Sequence, residues 1–319
     1  MFAVARVRDW ALLLLCNLIW ASQFVMVKIV QQQLGPVSAT FFPMLLATLL
    51  LIPVVAWEGR ARSNARRRVP RAQVGQFIVL GVLGQVVAQL FITWGLRYSL
   101  ASNAALLMLV LPVSTALMAY FLLGEHMTRV RWISFALALA GVLECSGVDW
   151  KELNLTSSHF FWGNFLVFLS VNGSAFYNVY SKRLLKRYSP LQVLLYSYYA
   201  VMAFLLPVEI YLEPQAFGLL LEYTLTTWLG IGILAIFVYF FSMVIFLTVL
   251  TRLDAIQASL CNYLIPFFGL VIAALVLHER MTRYMILGGI LVLLSTLLVT
   301  AYEEHRRAKQ GLTAVPAQL

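Results

Sequence analysis

LPVSTALMAYFLLGEHMTR, Leu111–Arg129, and IPFFGLVIAALVLHERMTR, Ile265–Arg283, stand 154 residues apart in one chain. Each opens on an apolar residue and a proline, runs apolar, and closes on a glutamate, one variable residue and Met-Thr-Arg. The same offset returns Lys28 at Lys182, Pro36 at Pro190, Pro53 at Pro207, Pro112 at Pro266 and Glu125 at Glu279. Six of the ten prolines fall into such pairs without a gap, which two unrelated segments would seldom do. The chain is written twice.

Composition says where such a chain lives. Of 319 residues, 62% are hydrophobic and 11% charged, against about 25% charged in a soluble domain. The apolar residues gather into runs near the length that crosses a bilayer. Ten spans follow, roughly 10–30, 37–57, 74–95, 100–123, 131–148, 159–180, 190–212, 224–250, 255–277 and 284–302. Backbone polar groups in lipid must be satisfied inside the segment, and the runs do not alternate as barrel strands do, so the spans are helices. Arg6 and Arg8 before ALLLLCNLIWAS have the outline of a signal peptide. The region from Trp20 onward has a counterpart in the second half, however, so this stretch is read as span one.

The predicted fold class is an all-α integral membrane protein of ten transmembrane helices, built as two inverted five-helix repeats. The first repeat covers 9–148, a linker outside the membrane 149–158, the second repeat 159–302, and a cytoplasmic tail 303–319. An odd number of helices per copy makes the second copy enter the membrane from the opposite face. With both termini in the cytoplasm, 18 of the 23 lysines and arginines fall on the inside, as the positive-inside rule asks. That placement accounts for the net charge of +10 through anionic lipid, and nucleic acid is excluded as a partner. Cys16, Cys145 and Cys261 lie in apolar runs with no CxxC pair and are read as packing residues. Inverted repeats are a recurrent build of secondary transporters, with the substrate site at the repeat interface near the midplane. One copy can adopt the shape its twin has just left, which supplies the two states that alternating access needs.

Three stretches carry a family resemblance: NLIWASQFVMVKI in span one, the Pro-centred span four ending in LLGEHMT, and its twin ending in VLHERMT. The chain resembles the drug/metabolite transporter superfamily in its ten-helix EamA-type branch, over about residues 9 to 302. The resemblance implies that spans one, three, four and their twins line the cavity. TFFPMLLA, Thr40–Ala47, departs from the family pattern, in which an arginine often stands early in span two.

Polar groups at membrane depth are costly and face the bundle interior. Gln85, Gln89 and Thr93 recur every four residues in span three, on one helical face. Their side of the second copy offers Tyr239 and Met243. Span one offers Trp20 and Gln23, and its twin Ser174, Tyr177 and Asn178. Span four offers Asn103 and Met108, and span nine Gln257, Ser259, Asn262 and Tyr263. The substrate-binding candidates are Trp20, Gln23, Gln85, Gln89, Asn103, Met108, Tyr177, Asn178, Tyr239, Gln257, Asn262 and Tyr263; interhelical glue is the other use of such residues. Pro112 and Pro266 are candidate kinks, serving either packing or a central cavity. Glu125 and Glu279 read as braces for the turn into the next helix, Lys28 and Lys182 as snorkelling to the surface, and Glu144 and Glu209 as either interfacial groups or sites for a coupling proton.

No lysine or arginine lies deep in spans three, four, eight or nine, so a phosphorylated substrate would find no clamp. An amide and aromatic lining suits a small neutral or zwitterionic metabolite, amino-acid-like. The expected function is secondary transport of such a metabolite across the cell membrane by alternating access, in the efflux direction. A channel or lipid translocase on the same scaffold is the alternative. An intramembrane enzyme is disfavoured, because no GxSxG, HExxH or aspartate pair is present. No cofactor or metal is expected, and without GxxxxGK[ST] the chain does not hydrolyse ATP itself. The partners are the small-molecule substrate and the lipid bilayer, with coupling to a proton or another ion left open; oligomeric state is not readable.

Overall fold

The computed structural model describes residues 2–61, 70–99, 107–108, 110–145, 161–265, 268 and ten single positions between 287 and 305. Asn103, Pro266, Glu279, the linker 149–158 and about half of the last span lie outside the described residues, as does the side chain of Glu144. Among the described residues the elements are helical throughout: α1 Phe2–Val30, α2 Ser38–Ala61, α3 Arg71–Val79 and α4 Val87–Tyr98, α5 Leu111–Leu123, α6 Arg129–Cys145, α7 Phe161–Leu184, α8 Pro190–Leu212, the short α9 Gln215–Gly218, α10 Leu225–Ile233 and α11 Ser242–Leu250, and α12 Ala255–Leu260 with a 3-10 turn at Cys261–Tyr263.

Among the described residues, five helical segments are long and apolar enough to cross a membrane: Arg8–Val30, Ser38–Arg60, Arg71–Tyr98, Pro190–Leu212 and Leu225–Leu250. The helix α7 is as long but more polar, since it carries Asn164, Ser170, Asn172, Ser174 and Asn178. Most of these polar residues turn inward; Asn164 and Asn178 are buried. Large apolar side chains cover the outside instead, among them Trp57, Phe121, Tyr211 and Leu225, each more than 70% exposed. This is the inverse of a soluble protein's surface, and hydrocarbon is the solvent that matches it.

The duplication is visible in backbone geometry. Between α3 and α4 the helix widens to π geometry over Leu80–Val86, and between α10 and α11 it does so over Leu234–Phe241. Leu80 and Leu234 are 154 residues apart. A π segment costs hydrogen-bond geometry and appears where a helix must re-aim its face, so its recurrence at one repeat position is a property of the fold and not of local composition. The first segment contains Gly81 and Gly84; the second contains no glycine.

The copies are inverted. Glu213, at the end of α8, accepts hydrogen bonds from the Val37 and Ser38 amides at the start of α2. At the opposite end, Glu58 of α2 accepts from the hydroxyl of Ser189, which caps the start of α8. The twin helices α2 and α8 therefore lie antiparallel and are clasped at both ends. Glu213 satisfies backbone donors that the start of α2 leaves open, whereas Glu58 holds the hydroxyl that caps α8.

Close backbone approach packs the span α3–α4 on α7. A Cβ at Gly173 would stand 2.8 Å from the Ala88 nitrogen, and one at Gly163 would stand 2.6 Å from the Tyr98 carbonyl carbon. Small residues at such crossings are how helices associate where the hydrophobic effect is absent.

Candidate functional site

Where the two copies meet, spans one, three, four, six, eight and nine enclose a cavity of about 720 Å³, its open mouth included. Twelve of its sixteen described lining residues form six repeat pairs: Trp20 with Ser174, Gln23 with Tyr177, Phe24 with Asn178, Gln89 with Met243, Met108 with Asn262, and Leu111 with Ile265. The cavity sits on the pseudo-two-fold axis. Its geometry is symmetric but its chemistry is not. Three of the six pairs set an amide against an apolar side chain, so the duplicated backbone presents an amide where its twin presents a thioether or a ring.

Span three supplies Gln85, Ala88, Gln89 and Ile92 to the wall. These steps of three, one and three follow the 3.6-residue turn. A strict four-residue step overshoots, and Thr93 shows it: it is buried, and its hydroxyl donates to the Gln89 carbonyl oxygen at 2.7 Å.

Several wall groups are already partnered. Gln23 Nε2 donates to Gln89 Oε1 at 2.9 Å, tying span one to span three across the wall. Trp20 Nε1 donates to Ser242 Oγ at 2.9 Å, and the indole meets Phe246 edge-on at 5.2 Å. Ser170 donates to the Ala88 carbonyl oxygen. Among the described residues, Gln85 Oε1, Asn262 Oδ1 and the Tyr177 hydroxyl, all buried, have no protein hydrogen-bond partner. A buried amide facing empty space without a partner is costly, and a ligand carrying complementary donors and acceptors removes that cost. Among the described lining residues there is no aspartate, glutamate, lysine or arginine.

Of the residues singled out from sequence, Trp20, Gln23, Gln85, Gln89, Met108, Tyr177, Asn178 and Asn262 are brought together on the wall. Three stand behind it. Gln257 is fully buried and its side-chain oxygen accepts from the Asp254 amide in a capping box, so it belongs to the start of α12. Tyr263 packs edge-on against Phe135 at 5.8 Å. Tyr239 is buried behind Gln23, its carbonyl oxygen held by the Tyr198 hydroxyl. Pro112 stands in the first turn of α5, which begins at Leu111, where its missing N–H is not needed. Asn103 and Pro266 lie outside the described residues. Sequence reasoning missed Phe24, Ala88, Ile92, Leu111, Ser170 and Ile265. The available signal was the repeat itself, since Phe24 follows from Asn178 by the offset.

The charged residues behave differently from expectation. Glu125 does not brace its own turn; it accepts from the Ala255 and Ile256 amides, at 3.1 Å each, in the other repeat. Lys182 does not snorkel; its side chain is 19% exposed and stands 3.4 Å from Glu125. Glu209 is fully buried and shares the Ser38 hydroxyl with Glu213. Among the described residues no group of three or more His, Cys, Asp and Glu side chains is placed to hold a metal.

The EamA-like transporter family matches residues 10–145 and again 161–301. A protein of Archaeoglobus fulgidus described as an uncharacterized transporter is 27% identical over 296 residues, covering 92% of this chain and 98% of its own length. A "Probable terminal-alkyne amino-acid exporter" of Streptantibioticus cattleyicolor is 26% identical over 299 residues, covering 93% and 95%. An "S-adenosylmethionine uptake transporter" of Rickettsia prowazekii is 21% identical over 282 residues, covering 88% of each. A solved crystal structure shares the fold with a TM-score of 0.76 at 16% identity, covering 94% of this chain and 98% of that one. Two matches of one family, set on the two copies of an all-helical membrane fold, place this chain among multi-pass membrane transporters: it belongs to the EamA-like transporter family.

Proposed function

We propose that the protein is a secondary transporter that moves a small neutral or zwitterionic metabolite, amino-acid-like in character, out of the cell by alternating access, and that both of its termini lie in the cytoplasm. The observation that carries this reading is the cavity on the repeat axis, whose described lining residues come from both copies and carry no charge. A fixed charge would bind one ionic partner and be stranded without it. Amides and aromatic faces hold polar ends and apolar bodies at moderate affinity, which a carrier needs in order to release its cargo. The efflux direction is supported by the exporter from Streptantibioticus cattleyicolor, and coupling to a proton or another ion gradient replaces ATP as the energy source.

Reconstituted vesicles loaded with a panel of amino acids, nucleosides and sugar phosphates test it. Saturable movement of a zwitterion, driven by an imposed gradient without nucleotide, is the expected result. Movement of a sugar phosphate alone, or unitary conductance steps, would replace this reading. Orientation is checked separately with cysteines at Lys186 and Leu221: an impermeant thiol reagent is expected to reach the first from the cytoplasm and the second from outside.

A further inference from the structure

At one end of the cavity four charged side chains from both repeats converge. Glu125 follows α5, Arg131 is in α6, Lys182 ends α7, and Asp254 precedes α12. The Glu125 carboxylate accepts from Ala255 N and Ile256 N, the open donors of the first turn of α12. Lys182 Nζ stands 3.4 Å from Glu125 and 3.6 Å from Asp254, and donates to the Leu253 carbonyl oxygen. Arg131, 2% exposed, reaches Asp254 at 3.0 Å. Every one of these contacts joins the first repeat to the second or stays within the second at the seam.

We propose that Glu125, with Lys182, is the bolt of an inter-repeat latch that holds this end of the cavity shut, and that the bolt must release before the cavity can open to that face. This rests on the transport reading above, which supplies the reason to open. The placement supports it. Lys182 lies four residues past Asn178 on α7, about 6 Å along the axis, and Asp254 lies eight residues before Asn262, about 12 Å. Between latch and wall on this helix, Gln257 and Ser259 are fully buried. A group that only braced a turn would bond within its own hairpin. Glu125 instead grips the start of a helix in the other copy, and that helix also carries the wall residue Asn262. The two cations and two anions are neutral as a set, so the latch has no net charge to solvate when closed. Once parted, each group reaches water at the interface, which makes opening reversible rather than prohibitive.

The test is accessibility, not transport. In a background with Cys16, Cys145 and Cys261 replaced by serine, a Ser174→Cys probe is placed in the wall. A charged, membrane-impermeant thiol reagent is added to right-side-out or inverted vesicles. Glu125→Gln keeps one acceptor oxygen and removes the charge. It is expected to raise the labelling rate from the face bearing Lys182 about tenfold, without raising it from the other face. Lys182→Gln should do the same, and Lys182→Arg should restore the slow rate, which covers the case in which the Glu125 variant does not fold. No change from the Lys182 face, or an equal rise from both faces, overturns the latch. Because no substrate enters the assay, its failure is independent of failure to transport a zwitterion.

Discussion

The Ser170 hydroxyl donates to the Ala88 carbonyl oxygen at 2.5 Å, and the repeat offset turns this bond into another one: Cys16 Sγ to the Ser242 carbonyl oxygen at 3.4 Å. Position 16 maps to 170 and position 88 to 242. One copy fastens its crossing with a hydroxyl, the other with a weaker thiol donor. Ser170→Ala is expected to lower stability by about 0.5–1.5 kcal/mol. Cys16→Ser should be neutral or stabilising, because serine already does this work at the twin position. Thermal unfolding in detergent measures both, and a large loss from Cys16→Ser would show that the two crossings are not equivalent.

The neighbours Asn262 and Tyr263 should separate wall from support. Asn262 faces the cavity with its Oδ1 unpartnered, while Tyr263 is 1% exposed and packed on Phe135. Asn262→Ala is expected to cut transport about tenfold at unchanged stability, the worth of one hydrogen bond. Tyr263→Ala should instead cost about 3–5 kcal/mol of stability by opening a void, and Tyr263→Phe should leave substrate affinity as it was. Vesicle uptake kinetics read beside unfolding temperature decide this. Lost affinity in Tyr263→Phe would return Tyr263 to the wall.

Much of the architecture was legible because duplication leaves a long-range signal in one sequence. The proline pairs and the Pro…Glu-x-Met-Thr segments required two copies, and the odd helix count required inversion. The cavity was legible where a polar residue at membrane depth needs a reason, as at Gln23, Gln85 and Asn262. It was not legible where the lining is apolar, as at Phe24 and Ile92, since a leucine-like residue facing a cavity looks like one facing lipid. Gln257 misled because helix capping and ligand binding draw on the same amide. The Glu125 grip on α12 was hidden for a different reason: it joins residues 130 apart in sequence, and no local pattern carries that distance.

Tyr223, in the turn before α10, offers a pH signature outside the spans. Burial, with Glu209 and Glu213 nearby, pushes its phenol above the ordinary value of about 10. The folded chain therefore holds this proton more tightly than the unfolded chain. The resulting stability is fully present below pH 10 and is lost as pH rises through the folded value. Tyr223→Phe removes the titration and also the hydrogen bond to the Ala216 carbonyl oxygen, about 1 kcal/mol. The gap in unfolding temperature between wild type and variant should hence narrow on passing from pH 9 to pH 11. A gap that stays constant would mean that the phenol titrates as if exposed.

Gly35 and Glu213 make the sharpest test of the clasp between α2 and α8. A Cβ on Gly35 would stand 2.2 Å from the Glu213 carboxyl carbon and its Oε1, so the glycine is required by the carboxylate and not by a turn. Gly35→Ala must push Glu213 off the Val37 and Ser38 amides and is expected to cost about 1–2 kcal/mol. Glu213→Ala removes the same contact and should cost a similar amount. If both act through one contact, the double variant is no worse than either single one, and the coupling energy equals the single loss. Unfolding measurements on the four proteins give this cycle directly. Additive losses would mean that Gly35 serves the backbone for its own sake, and that the carboxylate holds the helix start without needing the space the glycine leaves.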